Sequence, residues 1–176
     1  MDFLAENATT AGGPSRAILS VTPRPAPGLP AGGAEILSAA SYAFGSYRIR
    51  AKVSPPTPTG VGVCNAFYFI NAQCELDIEF LSDKQARTPG TGQVDIVVHD
   101  YAYMANNRIS VHRPVALAFD PTKEFHVFGF DWHPGSCDFF VDDRLVTTVK
   151  TGDPGLINIG GKAEIRNITL DRKSVV

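Results

Sequence analysis

The stretch Glu75-Leu76-Asp77-Ile78-Glu79-Phe80 alternates acidic and apolar side chains without interruption. Successive side chains of a β-strand point to opposite faces, so an extended chain places the acids on one face and the apolar residues on the other. The apolar row anchors such a strand in a core. The acidic row is unfavourable unless one carboxyl group keeps its proton. This pattern therefore indicates an enzyme that uses a charged carboxylate beside a protonated one.

Further strands are predicted on both sides of this stretch. Gly45–Ser54 alternates apolar with basic residues, whereas Val63–Ile70 is almost entirely apolar, as in a strand buried on both faces. Other predicted strands are Ala17–Val21, Ala34–Ser38, Gln93–His99, Glu124–Trp132, Cys137–Val141, Leu145–Val149, Leu156–Ile159 and Ala163–Leu170. About a dozen short strands separated by turns predict an all-β protein, a two-sheet antiparallel sandwich or jelly roll.

The bulk composition limits the class of protein. The 176 residues are enough for one domain, and we expect a flexible N-terminal segment over 1–16 followed by a single β-jelly-roll domain over 17–176. The net charge of −2 argues against nucleic acid or an anionic membrane as a partner. No apolar run approaches the roughly 20 residues that a membrane-spanning helix needs.

The N-terminus does not read as a signal peptide, because it has neither a basic region nor an apolar one. Two glycosylation sequons begin at Asn7 and Asn167. We expect a secreted, extracellular glycoprotein whose signal peptide has been removed, with Met1 as an added start residue.

Three cysteines, Cys64, Cys74 and Cys137, permit at most one internal disulfide. Cys64 and Cys74 lie on adjoining stretches and could pair, or all three could be small buried hydrophobes. No cysteine or histidine spacing is typical of a zinc site, so we expect neither a required metal nor a cofactor.

Four segments in this order resemble a known enzyme family. They are Ser41–Val53, the acidic stretch, Phe125–Gly135 and Phe139–Val146. Together they are similar to glycoside hydrolase family 16, the group of laminarinases, lichenases and fungal cell-wall transglycosylases. The resemblance covers roughly residues 34–150 and implies a concanavalin-A-like β-jelly roll.

The resemblance also implies a retaining mechanism. Glu75 matches the nucleophile of the family, Glu79 its general acid/base, and Asp77 the carboxyl group between them. Retention needs two carboxyl groups about 5–5.5 Å apart. Because residues four apart on a strand have Cα atoms roughly 13 Å apart, the two long side chains must lean together over the shorter Asp77. The alternative interpretation is an acidic strand on a solvated face.

The chain departs from the family in the residues that would line a sugar cleft. Its single tryptophan, Trp132, is predicted to lie in the core, and Val97 stands where some relatives carry a sugar-binding asparagine. The cleft is therefore expected to be shorter and more apolar. We predict that substrate-binding residues come from His99 and Asp95, which share one strand face, and from aromatic side chains: Tyr101, Tyr103, Phe67 and Phe69, with Tyr68 as a further candidate.

Three functions fit these residues. The first is a retaining glycoside hydrolase or transglycosylase that acts on β-glucan-type glycans. The second is a repurposed scaffold that catalyses a cyclisation or rearrangement of an apolar small molecule, since a fold does not dictate its chemistry. The third is a non-catalytic glycan-binding module. The expected partner is a glycan or a small-molecule substrate.

Overall fold

A computed structural model describes residues 2–10, 17–22, 32–40, 42–58, 62–70, 74–85, 87–101, 111–154 and 167–175. Nearly all of the regular structure in this part of the chain is β. The strands are β1 (Asp2–Phe3), β2 (Ala8–Thr10), β3 (Ala17–Leu19), β4 (Gly32–Gly33), β5 (Gly45–Ala51), β6 (Gly62–Ile70), β7 (Cys74–Leu81), β8 (Gly92–Asp100), β9 (Val111–Leu117), β10 (His126–His133), β11 (Ser136–Val141), β12 (Arg144–Lys150) and β13 (Asn167–Val175).

Two antiparallel sheets build the molecule. The smaller has the order β12-β11-β10-β5, and the larger has the order β13-β6-β7-β8-β9. Two further pairs of short strands, β1 with β4 and β2 with β3, lie outside these sheets. The predicted all-β, two-sheet antiparallel sandwich is confirmed. The acidic stretch occupies β7, the middle strand of the larger sheet, so its backbone is hydrogen-bonded on both sides.

The core lies between the two sheets. The apolar row of β7, namely Leu76, Ile78 and Phe80, is buried there with residues of β10, including Phe130 and Trp132. Trp132 is fully buried, as predicted. This packing turns the apolar face of β7 towards the smaller sheet and leaves its acidic face on the outer side of the larger sheet.

The predicted strand Ala34–Ser38 is wrong. Strand β4 ends at Gly33, and beyond it Glu35 accepts a hydrogen bond from the Tyr68 hydroxyl. Short alternating runs form strands only where a neighbouring strand can pair with them. Two short strands, β1 and β2, fall within the segment expected to be flexible, and the predicted strand Leu156–Ile159 lies outside the described residues.

The cysteines do not form the pair considered from the sequence. All three are buried and none is in a disulfide, which confirms their interpretation as small hydrophobes. Cys64 lies opposite Leu81, whereas Cys74 lies opposite Asp100, at the other end of β7. The antiparallel register therefore separates Cys64 and Cys74 by nearly the length of the strand.

Two observations bear on the predicted location. Within the described residues, no helix has the length and apolar character needed to cross a bilayer. The Asn7 side chain is buried, and its Nδ2 donates a hydrogen bond to the Gly33 carbonyl at 3.2 Å. A glycan on this nitrogen would require the N-terminal segment to move.

Candidate active site

The acidic row lies on the outer face of the larger sheet, at its centre. Glu75 is 6% exposed and Asp77 is 1% exposed, while Glu79 is partly buried. Strand alternation puts all three side chains on the face opposite the core. Two nearly buried carboxyl groups on one strand are costly unless their surroundings satisfy them.

The register of the sheet decides which side chains surround this row. On β8, His99 lies directly opposite Glu75, and Asp95 lies directly opposite Glu79. Residues opposite each other have Cβ atoms about 4.5–5.5 Å apart, close enough for side-chain contact. The structure thus brings the predicted His99 and Asp95 to the acidic row.

Tyr101, immediately beyond β8, contacts the first acid of the row. Its hydroxyl donates a hydrogen bond to Glu75 Oε2 at 2.6 Å. Burial raises the pKa of Tyr101 strongly, and the hydrogen bond to Glu75 and the charge of that carboxylate raise it further. The phenol therefore keeps its proton and acts as a donor. Tyr101 was predicted to contact substrate, and its hydroxyl bonds to a carboxylate of the acidic row.

His99 and Asp77 form a second contact within the row. His99 Nε2 lies 3.4 Å from Asp77 Oδ2, and both side chains are largely buried. Glu75, Asp77 and His99 each place one donor atom within 4.8 Å of the other two. The sequence analysis did not connect these three as possible metal ligands, because their proximity depends on the register between β7 and β8.

Asp95 is fully buried next to Glu79 and is held from several sides. His112 Nε2 lies 2.7 Å from its Oδ1, and Gln93 Nε2 donates to both oxygens at 2.9 and 3.0 Å. Lys84 Nζ lies 3.8 Å from Oδ1. The sequence analysis missed His112 and Gln93. The spacing of Gln93 and Asp95 by two residues, which puts them on one strand face, was the available signal.

Tyr68 closes the other flank of the row. It lies opposite Asp77 on β6, and its hydroxyl donates a hydrogen bond to Glu35 Oε1 at 2.6 Å. Sequence reasoning did not select Glu35, since nothing in its local pattern links it to β6.

Phe67 and Phe69, which were predicted to bind substrate, lie in the core and not beside the acidic row. Both rings are buried between the sheets, with ring centroids 5.6 and 4.9 Å from that of Phe130. Because β6 is apolar on both faces, its pattern does not reveal which residues point outwards, and Tyr68 is the aromatic residue that does. Tyr103 lies outside the described residues.

A cavity in the described structure lies away from the acidic row. Its volume is about 260 Å³, and it is mostly apolar. Its lining consists of Ile36, Leu37, Ser38, Tyr47, Arg48, Ile49 and Phe67. This lining includes none of the carboxyl groups. We therefore place the candidate active site at the acidic row and not at the cavity.

Comparison with known proteins places the chain in a family. The model of the family described as glycosyl hydrolases family 16 matches residues 7–159. This chain belongs to that family. The membership predicted from the sequence is confirmed.

Curated relatives of this family 16 chain include enzymes named for glucans. It is 34% identical over 112 residues to "Putative xyloglucan endotransglucosylase/hydrolase protein 1" of Arabidopsis thaliana, covering 62% of this chain and 34% of that protein. It is 27% identical over 127 residues to a β-glucanase of Paenibacillus macerans, covering 69% of this chain and 47% of that protein. The chain thus spans less than half the length of these two relatives.

A solved structure supports the fold. The family 16 chain aligns with a Bacillus licheniformis β-glucanase with a TM-score of 0.73 at 23% identity, covering 99% of this chain and 72% of that one. At this identity the likeness concerns the fold alone. The predicted concanavalin-A-like β-jelly roll is confirmed.

Proposed function

We propose that this family 16 protein is a retaining glycoside hydrolase or transglycosylase acting on β-glucan-type glycans. One observation carries the proposal. The central strand β7 presents Glu75 and Glu79 on one outer face with Asp77 between them, held by hydrogen-bonded strands on both sides. A rigid strand is a suitable platform, because catalytic carboxyl groups must be held close to their productive geometry.

The two glutamates have different roles in the proposed reaction. Glu75 attacks the anomeric carbon and forms a glycosyl-enzyme ester, while Glu79 gives its proton to the departing glycosidic oxygen. In the second step Glu79 takes a proton from the incoming hydroxyl, whose oxygen displaces Glu75. Water as the acceptor gives hydrolysis, and a sugar hydroxyl gives transglycosylation.

The surroundings of each glutamate support these roles. The Tyr101 hydroxyl, 2.6 Å from Glu75 Oε2, fixes the attacking carboxylate and stabilises its charge. Asp95, held by hydrogen bonds, lies opposite Glu79 and provides a polar neighbour on that side. The acid and the nucleophile therefore meet different environments on the same strand.

The names of the relatives support the substrate class. One relative is named as a β-glucanase and another as a putative xyloglucan endotransglucosylase/hydrolase. Together these names refer to hydrolysis and to transfer on glucans. With Trp132 in the core, stacking on a sugar ring falls to tyrosines near the row, such as Tyr68 and Tyr101. Because the expected substrates are extracellular polymers, we also propose that the protein acts outside the cell.

A second candidate function rests on the apolar side chains beside the row. Val97 lies opposite Asp77 and is buried, and Ala66 lies opposite Glu79. Such neighbours favour a small apolar substrate that the carboxyl groups would cyclise or rearrange by proton transfer. A third candidate, a glycan-binding module, would keep the fold and bind glycans without cleaving them.

Two assays on a panel of β-1,3-, β-1,4- and mixed-linkage glucans test the proposal: reducing-sugar release detects hydrolysis, and transfer of glucan to a labelled oligosaccharide acceptor detects transglycosylation. We expect turnover by the wild type, a loss of at least about 10⁴-fold in E75Q and a loss of about 10²–10⁴-fold in E79Q. E124Q, which changes an exposed glutamate far along the chain, is the control and should behave as the wild type. Wild-type turnover in E75Q or E79Q would contradict the assignment. A folded wild type that cleaves no glucan would favour the small-molecule function, and binding without cleavage would favour the binding module.

A further inference from the structure

His99 and Asp77 are spaced differently from a hydrogen-bonded pair elsewhere in the protein. His126 Nδ1 and Asp142 Oδ2 are 2.7 Å apart, the distance of a strong hydrogen bond. His99 Nε2 and Asp77 Oδ2 are 3.4 Å apart. This separation is wider than a good hydrogen bond, yet both groups are buried in rigid strands.

The wider spacing fits two ligands of one metal ion. Zinc lies about 2.0–2.2 Å from nitrogen and oxygen ligands in a tetrahedron, so its ligands are about 3.3–3.6 Å apart. The Asp77–His99 separation of 3.4 Å falls in this range. The third donor, from Glu75, lies within 4.8 Å of the other two.

The chemistry of the three donors is also suitable. One imidazole and two carboxylates form the kind of nitrogen and oxygen set that binds Zn²⁺ and similar divalent ions, with a position left open. Two carboxylates in a site that is nearly closed to water would attract a divalent cation strongly. Tyr101 donates to Glu75 Oε2 and so orients this ligand from outside, as partners of metal ligands commonly do.

We infer that Glu75, Asp77 and His99 form a binding site for Zn²⁺ or a similar divalent transition-metal cation, and that this cation inhibits the enzyme. Binding needs only the three donors. Inhibition rests on the proposed function, because the cation would occupy the carboxylate that attacks the sugar. Metal and glycan would then exclude each other from the site.

Calorimetric titration of the whole chain with Zn²⁺ tests the binding. We expect one equivalent to bind the wild type. In H99Q, affinity should fall by at least about 100-fold, because losing even an outer partner of a ligand costs about 10–100-fold. H112Q is the matched control, because His112 is paired with Asp95 on the same sheet but belongs to no three-donor group among the described residues. It should bind as the wild type does.

E75Q provides a second variant in case H99Q does not fold, and it should lose the same affinity. Co²⁺ supplies an independent readout, since a tetrahedral site containing His99 would give intense visible absorption bands that H99Q and E75Q lack. The inference is overturned if the wild type binds no stoichiometric Zn²⁺, or if H99Q and E75Q, both folded, bind it as tightly as the wild type.

Kinetics separate this inference from the proposed function. With an active wild type, Zn²⁺ should raise the KM for glucan without changing kcat, and a chelator should restore the original KM. Glucan cleavage with no Zn²⁺ binding would overturn the metal site and leave the proposed function standing. Stoichiometric Zn²⁺ binding by a protein that cleaves no glucan would support the metal site and count against the proposed glycosidase function.

Discussion

Tyr101 and Glu75 show how one phenol can influence the proposed reaction. In that proposal the hydroxyl holds the Glu75 carboxylate in position before attack and stabilises its charge when it leaves the glycosyl-enzyme. A hydrogen bond to a charged group contributes about 1.5–3 kcal/mol, so Y101F should lower kcat by roughly 10–150-fold. Single-turnover and steady-state kinetics on a cleaved glucan would measure this loss.

Tyr47 offers a matched control for that prediction. Its hydroxyl also donates a hydrogen bond, but to the backbone carbonyl of Ala43, away from the acidic row. Y47F should keep the wild-type kcat. If Y101F turned over glucan as fast as Y47F does, the Tyr101 hydrogen bond would have no part in the reaction.

Single residues also show what the sequence could and could not predict about the site. Strict alternation was enough to put Glu75, Asp77 and Glu79 on one face, because period two leaves no other arrangement in a strand. It failed for Phe67 and Phe69, since a strand that is apolar on both faces gives no sign of its inward side. His112 and Glu35 could not be found, because their contacts depend on register and on the path of a loop.

The contact between β5 and β10 depends on a glycine. A Cβ atom added at Gly129 would lie 2.1 Å from the Tyr47 carbonyl oxygen and 2.4 Å from Arg48 Cδ. Since backbone atoms cannot yield easily, G129A should destabilise the protein by about 1–3 kcal/mol. Urea unfolding at neutral pH would measure the change.

Leu145 is the control for this element. It is 57% exposed on β12, the edge strand of the same sheet, and L145A should change the free energy of unfolding by no more than about 0.5 kcal/mol. A G129A protein as stable as L145A would show that the two strands are not in the close contact described.

Whole strands were predicted best where apolar and polar residues alternate and turn residues mark both ends of the alternation. The acidic stretch 75–80, predicted to be extended, lies within β7 (Cys74–Leu81), because strict alternation of apolar and acidic residues fits only a strand with one buried face. Ala34–Ser38 has a similar local pattern but forms no strand, since no neighbouring strand pairs along it. Pairing is a property of the whole sheet, and a short segment does not encode it alone.

At the scale of the whole molecule, two aspartates of the smaller sheet link stability to pH. Burial opposes ionisation of Asp131, but hydrogen bonds from Arg48 and Ser46 outweigh it and lower its pKa. Burial likewise opposes ionisation of Asp142, and hydrogen bonds from the Val127 backbone and a histidine outweigh it, so its pKa is also lowered. Groups with lowered pKa values stabilise the fold above their unfolded pKa, and this stability is lost as the pH falls through the folded value.

D131N should therefore lose stability at neutral pH, and the difference from the wild type should shrink as the pH falls below about 4, the unfolded value for aspartate. Urea midpoints across this range would measure it. D143N, in an exposed turn, is the control and should follow the wild type. If the difference in urea midpoint between D131N and the wild type stayed constant down to the lowest pH measured, the proposed effect of the Arg48–Asp131 pair on stability would be contradicted.

The chain spans less than half the length of two curated relatives, and it contains the central strand β7 on which the proposed reaction depends. The most direct test is to trap the sugar on the protein with a fluorinated β-glucoside whose glycosyl-enzyme breaks down slowly. Mass spectrometry of the digested protein should find the sugar attached to Glu75, and E75Q should remain unlabelled. Turnover of glucan with the sugar attached to a different residue, or equal labelling of E75Q, would contradict the claim that Glu75 is the nucleophile.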